Sequence, residues 1–130
     1  MKKILVPRGV AKPCGDYSHG VLVKPGYLLF IAGQTATGQD GATVGIGDPY
    51  AQGKQVFENM KAVLSEAGGD FTDIVKMTTY ITDISYRVKV NEARKEYFHK
   101  DFPANTLLVV KGLAHADLLV EVEAIACIEK

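Results

Sequence analysis

The sequence has little cysteine, no excess charge of either sign and no long hydrophobic run. Its two cysteines, Cys14 and Cys127, are expected to be reduced and unpaired, as is typical of a domain of this size. Fifteen basic residues balance fifteen acidic ones without forming a cluster, which argues against a nucleic-acid partner and favours a small molecule or a protein. The apolar run 4–6 is too short for a signal peptide, and no later stretch could span a membrane, so a cytoplasmic protein without a membrane partner is predicted.

What is present describes one globular domain over residues 1–130, since 47% of the residues are hydrophobic and 23% are charged. Two extended runs, 21–23 and 27–32, flank Pro25-Gly26 and indicate a hairpin. The second run does not alternate and is expected to be buried on both faces. A glycine-rich loop is expected over 33–47, and its spacing matches no phosphate-binding or dinucleotide-binding signature.

A first helix is predicted after this loop. Asp48-Pro49 supplies an acidic N-cap followed by proline at the first helical position, and Gly68-Gly69 ends the helix. The apolar residues that recur at helical spacing are Val56, Met60, Val63, Leu64 and Ala67. This stripe is expected to face the core.

A strand over 74–82 and a second helix follow. The strand is rich in threonine, valine, isoleucine and tyrosine, and either Asp83 or Ser85 is expected to cap the helix. Phe102-Pro103 is expected to stop it. Because strand-helix-strand crossovers are right-handed, both helices should lie on one face of a mixed sheet.

The last strand has two different faces, because successive side chains of a strand point to opposite sides. One face is a core face and carries Leu118, Val120, Val122, Ala124, Ala126 and Ile128. The other carries Leu119, Glu121, Glu123, Ile125 and Cys127. The preceding strand is apolar on both of its faces, so the face opposite the helices should not meet water. Self-association through this face is predicted, with the acidic side of the last strand forming a wall of an intersubunit cleft.

Local motifs over nearly the whole chain carry a family resemblance. They are Gly15–Gly20, Ile31–Gln34, Glu58-Asn59, Lys61–Leu64, Ala67-Gly68, Asp73–Lys76, Asn91, Tyr97-Phe98, Phe102–Ala104 and Val120–Ala126. Together they resemble the YjgF/Rid family, also labelled the L-PSP endoribonuclease family. The resemblance implies an α+β, chorismate-mutase-like mixed sheet with two helices on one face, assembled as a homotrimer. It also implies hydrolysis of small enamines or imines to ketones and ammonia, without cofactor.

The resemblance extends to site residues. Glu121 matches the glutamate that helps to place the attacking water in deaminating members, and is the predicted catalytic residue. Asn105 stands where those members have a carboxylate-binding arginine, and Leu107 stands where many have a cysteine. A neutral amide holds a carboxylate more weakly than a guanidinium fork does, so affinity for 2-imino acids should fall and specificity should shift.

Tyr17, His19, Asn91 and the backbone near Gly33 complete the predicted substrate-binding set. His19 is the nearest candidate for a replacement cation, because the family places the tyrosine loop at the pocket mouth. Other cations on the second helix are Arg87, Arg94 and Lys95. Structural roles stay open: Glu121 could satisfy backbone donors or pair with a lysine, Asn91 could bond backbone carbonyls, and Tyr17 could pack at an interface.

Two other functions stay open. The same trimer could bind a small metabolite without turning it over, as a binding or regulatory protein, and the absence of the arginine favours this. The family label also suggests an RNA-cleaving translation inhibitor, against which the balanced charge argues. Cys14, His19 and His115 form a poor metal set, so no metal site is predicted.

Overall fold

The computed structural model describes residues 2–24 and 26–129. Its strands are β1 (Lys2–Leu5), β2 (Gly20–Val23), β3 (Tyr27–Thr35), β4 (Ile74–Ile81), β5 (Ala104–Val109) and β6 (Val120–Ile128). Its α-helices are α1 (Pro49–Glu66) and α2 (Arg87–Arg94), and single 3₁₀ turns, Phe71–Asp73 and Ile84–Tyr86, precede β4 and α2. Among the residues described, no helix combines the length and hydrophobicity needed to cross a membrane.

Four strands form a mixed sheet in the order β3-β6-β4-β5. β6 runs antiparallel to both of its neighbours, whereas β4 and β5 are parallel and are joined through α2. α1 packs on β3 and β6, and α2 packs on α1. A mixed four-stranded sheet with two helices confirms the predicted α+β fold.

The core lies between α1 and one face of the sheet. Val56, Phe57, Met60 and Leu64 of α1 are fully buried. They pack with Ile31, Ile74, Met77, Ile81, Val120, Val122, Ala124 and Ala126 of the sheet. Every residue expected on the core face of β6 is 5% exposed or less, which confirms the alternation predicted for this strand.

α1 begins and ends as its sequence predicts. The Asp48 carboxylate accepts a hydrogen bond from the Ala51 N–H at 3.1 Å, and Pro49 occupies the first helical position, where an N–H would have no partner. Gly68 adopts a φ of +77°, a left-handed conformation that ends the helix at little steric cost.

The predicted hairpin is wrong. β2 pairs with β1 in a separate two-stranded sheet and not with β3; Pro25, at the expected turn, lies outside the described residues. The expected burial of β3 on both faces is also wrong, since Leu28 is 54% and Phe30 70% exposed in the single chain. The physical reason is that α1 covers only one face of the sheet, so the other face of β3 has no layer over it.

Two boundaries differ from expectation. α2 ends at Arg94 and not at Phe102-Pro103. Tyr97 and Phe98 lie beyond it, with their ring centroids 5.3 and 6.0 Å from that of Phe57, and two adjacent residues of one helix could not both face the same core ring. Residues 33 and 34 lie within β3 at a bulge, so the glycine-rich loop begins later than expected.

Candidate ligand-binding site

A cavity of about 460 Å³ lies at the β5 edge of the sheet. One wall is the Cys14–Tyr17 segment of the loop before β2, a second is one side of α2, and Asn105 and Leu107 of β5 form the third. This volume suits a small metabolite. The cavity brings together Tyr17, Asn91, Asn105 and Leu107, four of the residues predicted to bind substrate.

Backbone contacts hold the tyrosine loop beside β5. The Ser18 N–H donates to the Pro103 carbonyl at 3.1 Å, and the Ser18 hydroxyl donates to the Phe102 carbonyl at 2.5 Å. A parallel bridge between Ser18 and Ala104 continues this pairing. Because Ser18 is buried, Tyr17 is fixed at the start of β5, next to the cavity.

A hydrogen bond from the neighbouring strand β4 sets the orientation of the Asn105 side chain. The hydroxyl of Thr79, which is 3% exposed, donates to Asn105 Oδ1 at 3.0 Å. The amide nitrogen has no partner among the described residues, so its two N–H groups are the donors available to a ligand. Asn105 therefore presents a fixed, neutral hydrogen-bond donor to the cavity.

The packing of α2 turns polar side chains toward the cavity. Val90 and Ala93 are buried, and a Cβ placed on Gly53 of α1 would lie 3.0 Å from that of Ala93, so the two helices approach closely. Asn91 and Arg94, three residues apart on one side of α2, both line the cavity. The Asn91 side chain makes no hydrogen bond within the described part of the chain, so the alternative that it bonds backbone carbonyls is not what the single chain shows.

Arg94 is buried, with 6% of its surface exposed, although arginine is usually solvated. Its Nε atom is shielded from solvent and has no hydrogen-bond partner among residues 2–24 and 26–129. Burial lowers the pKa of Arg94, and the negative charge of Asp16 in the loop opposes that shift. The sequence identifies this arginine only as one of several cations on the second helix, although its i,i+3 spacing from Asn91 is a usable signal that both face the same side.

Glu121 lies on the opposite face of the sheet from this cavity. It sits beside Gly33, where an added Cβ would approach Glu121 Cδ to 2.9 Å, so a side chain at position 33 would force this carboxylate to move. In the part of the chain that is described, no hydrogen bond or ion pair holds the Glu121 carboxylate. Glu121 and Gly33 thus form a second group, which one chain cannot bring to the cavity.

The face that carries Glu121 is largely apolar and uncovered. Phe30 lies on it, in a hollow of about 470 Å³ that Lys76, Glu123 and Ile125 also line. The Tyr80 hydroxyl donates to Glu123 at 2.9 Å, which raises the pKa of Tyr80. Glu123 therefore has a partner within its own chain, in contrast to Glu121.

His19 belongs to neither group. Its Nε2 lies 2.5 Å from the Ala11 carbonyl oxygen, and its ring meets that of Tyr17 edge-on with 5.8 Å between centroids. It lines a different hollow, formed with residues 4–13, and does not line the β5-edge cavity. Cys14 and Cys127 are unpaired, and the described residues contain no group of three or more His, Cys, Asp or Glu able to hold a metal ion.

The fold and the cavity define a class: small α+β proteins with a metabolite-sized site at the edge of a mixed sheet. A family model described as endoribonuclease L-PSP matches residues 9–128. A RutC family protein of Pyrococcus abyssi is 38% identical over 125 residues, which cover 96% of each chain. A second, from Pyrococcus horikoshii, is 39% identical over 126 residues and covers 97% of this chain and 98% of the relative.

Solved structures agree. The Rid-family protein YyfB of Yersinia pestis superposes with a TM-score of 0.88 at 33% identity and covers 98% of both chains. Rv2704 of Mycobacterium tuberculosis, a YjgF/YER057c/UK114 family member, gives a TM-score of 0.69 at 27% identity and covers 98% of this chain and all of the other. The chain belongs to the YjgF/Rid family, which confirms the resemblance seen in its sequence.

Proposed function

We propose that this protein hydrolyses small enamines or imines to ketones and ammonia, as a homotrimer with three equivalent sites between subunits. Family membership supports the reaction class. The observation that carries the proposal is the division of the predicted site. Four residues predicted to bind substrate line a cavity at the β5 edge, while Glu121, whose carboxylate has no partner among the described residues, lies on the uncovered sheet face.

A second copy can unite the two groups. If the β5 edge of one subunit packs on the open sheet face of the next, Glu121 and Gly33 of one copy meet the cavity of its neighbour. Such a contact joins two different surfaces, and it closes into a ring of three when each copy is rotated by about 120°. It would also bury Leu28 and Phe30, which are 54% and 70% exposed in the single chain.

In the assembled site, each group has a role that follows from its chemistry. The amide N–H groups of Asn105 and the Tyr17 hydroxyl orient the imine. Glu121 accepts a proton from a water molecule as that water attacks the carbon of the C=N bond, and it returns the proton to the nitrogen. The resulting carbinolamine then loses its hydroxyl proton, which Glu121 passes to the amine nitrogen as the C–N bond breaks and the C=O bond forms, so imine and water become ketone and ammonia. Asn105 offers no charge, so specificity should differ from that of members with an arginine at this position.

The test is ammonia release from freshly generated 2-iminobutyrate and from a neutral imine. We expect turnover of at least one compound, and a fall of about 10²–10⁴-fold in Glu121→Gln, because a positioned general base contributes that much. Glu123→Gln, which changes a carboxylate already bonded to Tyr80, is the matched control and should retain most activity. Equal rates for the native protein and Glu121→Gln would contradict the proposal.

A non-catalytic metabolite-binding or regulatory trimer is the second candidate. The observation that favours it is Asn105, whose neutral amide is already bonded to Thr79 and replaces the charged group expected from the family. Under this alternative, neither imine would release ammonia, yet small ligands would still bind in the cavity. RNA cleavage is not favoured, since the formal charge is zero and basic residues do not cluster.

A further inference from the structure

Arg94 is a buried arginine for whose guanidinium the described part of the chain provides no ion-pair or hydrogen-bond partner. It is 6% exposed, it lines the β5-edge cavity, and its Nε lacks a partner in the described part of the chain. Its terminal nitrogens form no hydrogen bond with described residues either, yet they are not among the shielded atoms, so they remain accessible from the cavity. A buried charge without a partner is costly, and such charges in proteins are normally paired.

No carboxylate of the described chain pairs with Arg94. Asp16 is the charge that acts on it most, but no described oxygen of an acidic side chain lies within 4.0 Å of its guanidinium. Lys54 provides the contrast, because its ammonium meets the Glu96 carboxylate at 2.8 Å on the protein surface. The buried cation thus lacks the partner that an exposed one has.

We infer that Arg94 is the anion-binding residue of this cavity, and that the ligand is a small carboxylate whose charged group pairs with the Arg94 guanidinium. The guanidinium fork matches a carboxylate with two parallel hydrogen bonds. Asn105 then donates to the neighbouring carbonyl or imine group of the same ligand. The naming of that second group rests on the proposed function, whereas the carboxylate site rests on Arg94 alone.

The other charges on the cavity do not serve this role equally. Arg87 and Lys95 are exposed, so water screens them, and Asp16 and Glu92 carry the wrong sign. Burial makes the field of Arg94 stronger at short range because the local dielectric constant is lower. Arg94 of α2 therefore supplies the cavity with a positive charge that the neutral Asn105 of β5 does not provide.

The direct test is binding of 2-oxobutyrate and of its neutral amide to the full-length protein by titration calorimetry. The 2-oxo acid is stable and needs no turnover. We expect Arg94→Gln to raise the Kd of the acid about 10- to 100-fold, because a charge-assisted hydrogen-bond pair is lost, and to leave the Kd of the amide unchanged. Lys95→Gln, which changes an exposed cation on the same cavity, should alter the Kd of the acid about threefold or less.

Thermal unfolding of the ligand-free protein separates binding from a structural role. A structural ion pair with Asp16 predicts that Arg94→Gln lowers the Tm, whereas an unpaired buried charge predicts an unchanged or higher Tm. Asp16→Asn should lower the Kd of the acid about two- to fivefold, because it removes a competing negative charge. Arg94→Lys keeps the charge without the fork and should give a Kd between those of the native protein and Arg94→Gln.

Three results would overturn the inference: no binding of the acid by the native protein, equal affinity in Arg94→Gln, or an equal loss for acid and amide. Its failure is distinguishable from that of the proposed function. Ammonia release that needs Glu121 but is indifferent to Arg94 would keep the enzyme and remove the site. Arg94-dependent binding without any ammonia release would keep the site and remove the enzyme.

Discussion

The two faces of the four-stranded sheet differ more than any other two regions of this molecule. On the face covered by α1, residues 120, 122, 124 and 126 of β6 are at most 5% exposed and belong to one core. On the other face, the alternate residues of the same strand are partly exposed, and they include Glu121. β6 therefore contributes one face to the buried core and its other face to a surface that no element of the described chain covers.

The covered face stabilises the folded chain, whereas the open face carries the predicted catalytic residue Glu121. The covered face needs nothing beyond its own chain, because α1 removes its apolar side chains from water. The open face presents Phe30 to solvent and also carries Glu121, whose carboxylate has no partner among the described residues. Both would be covered by a second copy in the assembly that we propose. Changes on the two faces should accordingly have different consequences, which the following measurements separate.

The largest expected effect comes from mixing two inactive variants. Glu121→Gln disables the open face, and Leu107→Glu fills the cavity with an unwanted carboxylate. If each site joins one face to a neighbouring cavity, co-expression of the two variants should restore activity to about a quarter of the native value, because random assembly leaves that fraction of sites with both halves intact. Ammonia release from the purified mixed oligomers provides the measurement.

The control for the co-expression experiment is Phe30→Asp introduced into both variants. This change places a charge on the open face, so it should prevent both oligomer assembly and the recovery of activity. Sedimentation of this double set should show single chains. Mixed oligomers that form but recover no activity would show that both halves of the site belong to one subunit.

A matched pair of isoleucines sharpens the comparison further. Ile81 of β4 is fully buried on the covered face, so Ile81→Ala should lower the free energy of unfolding by about 2–5 kcal/mol. Ile125 of β6 lies on the open face, so Ile125→Ala should cost about 0.5–1 kcal/mol in a dissociated chain. Urea unfolding of both variants is the measurement.

The dependence of these unfolding free energies on protein concentration shows whether a second copy covers the open face. Because a second copy is expected to cover Ile125, the cost of Ile125→Ala should change with protein concentration, whereas the cost of Ile81→Ala should not. A concentration-independent effect at both positions would argue that the open face stays uncovered in solution.

The smallest expected effect concerns Glu96, in the turn that follows α2, and its contacts with α1. The Glu96 carboxylate accepts hydrogen bonds from Lys54, at 2.8 Å, and from Tyr50, and these hold its pKa below the ordinary value of 4.5. Because the folded-state pKa is lowered, this stabilisation is present above the unfolded pKa and is lost as pH falls through the folded pKa. Glu96→Gln should therefore reduce stability slightly at pH 7 and progressively less on acidification below 4.5.

Urea unfolding over a pH series measures this effect, with Glu66→Gln, an exposed change at the end of α1, as the control. Both groups that hold Glu96 are partly exposed to solvent, so the difference should also shrink in high salt. A difference between native protein and Glu96→Gln that persists unchanged into acid would show that the carboxylate charge is not what stabilises this contact.

Much of the fold could be predicted from local patterns. The strand over 74–82, the cap at Asp48-Pro49 and the alternation of β6 all follow from short-range rules, and the structure confirms them. The partner of β2 could not be predicted from the local sequence around Pro25-Gly26, because β1, which is distant in sequence, pairs with β2 over four residues. Strand pairing is a long-range choice, so two adjacent runs with a turn between them do not decide it.

The site shows the same division. The residues Tyr17, Asn91, Asn105 and Leu107 were predictable from motifs, and the structure gathers them in one cavity. Whether Glu121 joined them could not be read from spacing, since a residue on a central strand can serve either face of the sheet. The burial of Arg94 was harder to predict than its position on α2, because arginine is usually solvated and the local sequence is strongly charged.

By itself, the sequence determined the family, the two helices and the side of β6 that forms the core, because hydrophobic periodicity and capping act over a few residues. Only the tertiary structure decided that Glu121 and Asn105 point to opposite sides of one sheet and that β3 is an edge strand. It also decided that Arg94 is buried, its guanidinium without a partner among the described residues, in the same cavity as the neutral Asn105. These depend on which strands become neighbours and which faces are covered, and both are settled by contacts between residues distant in sequence.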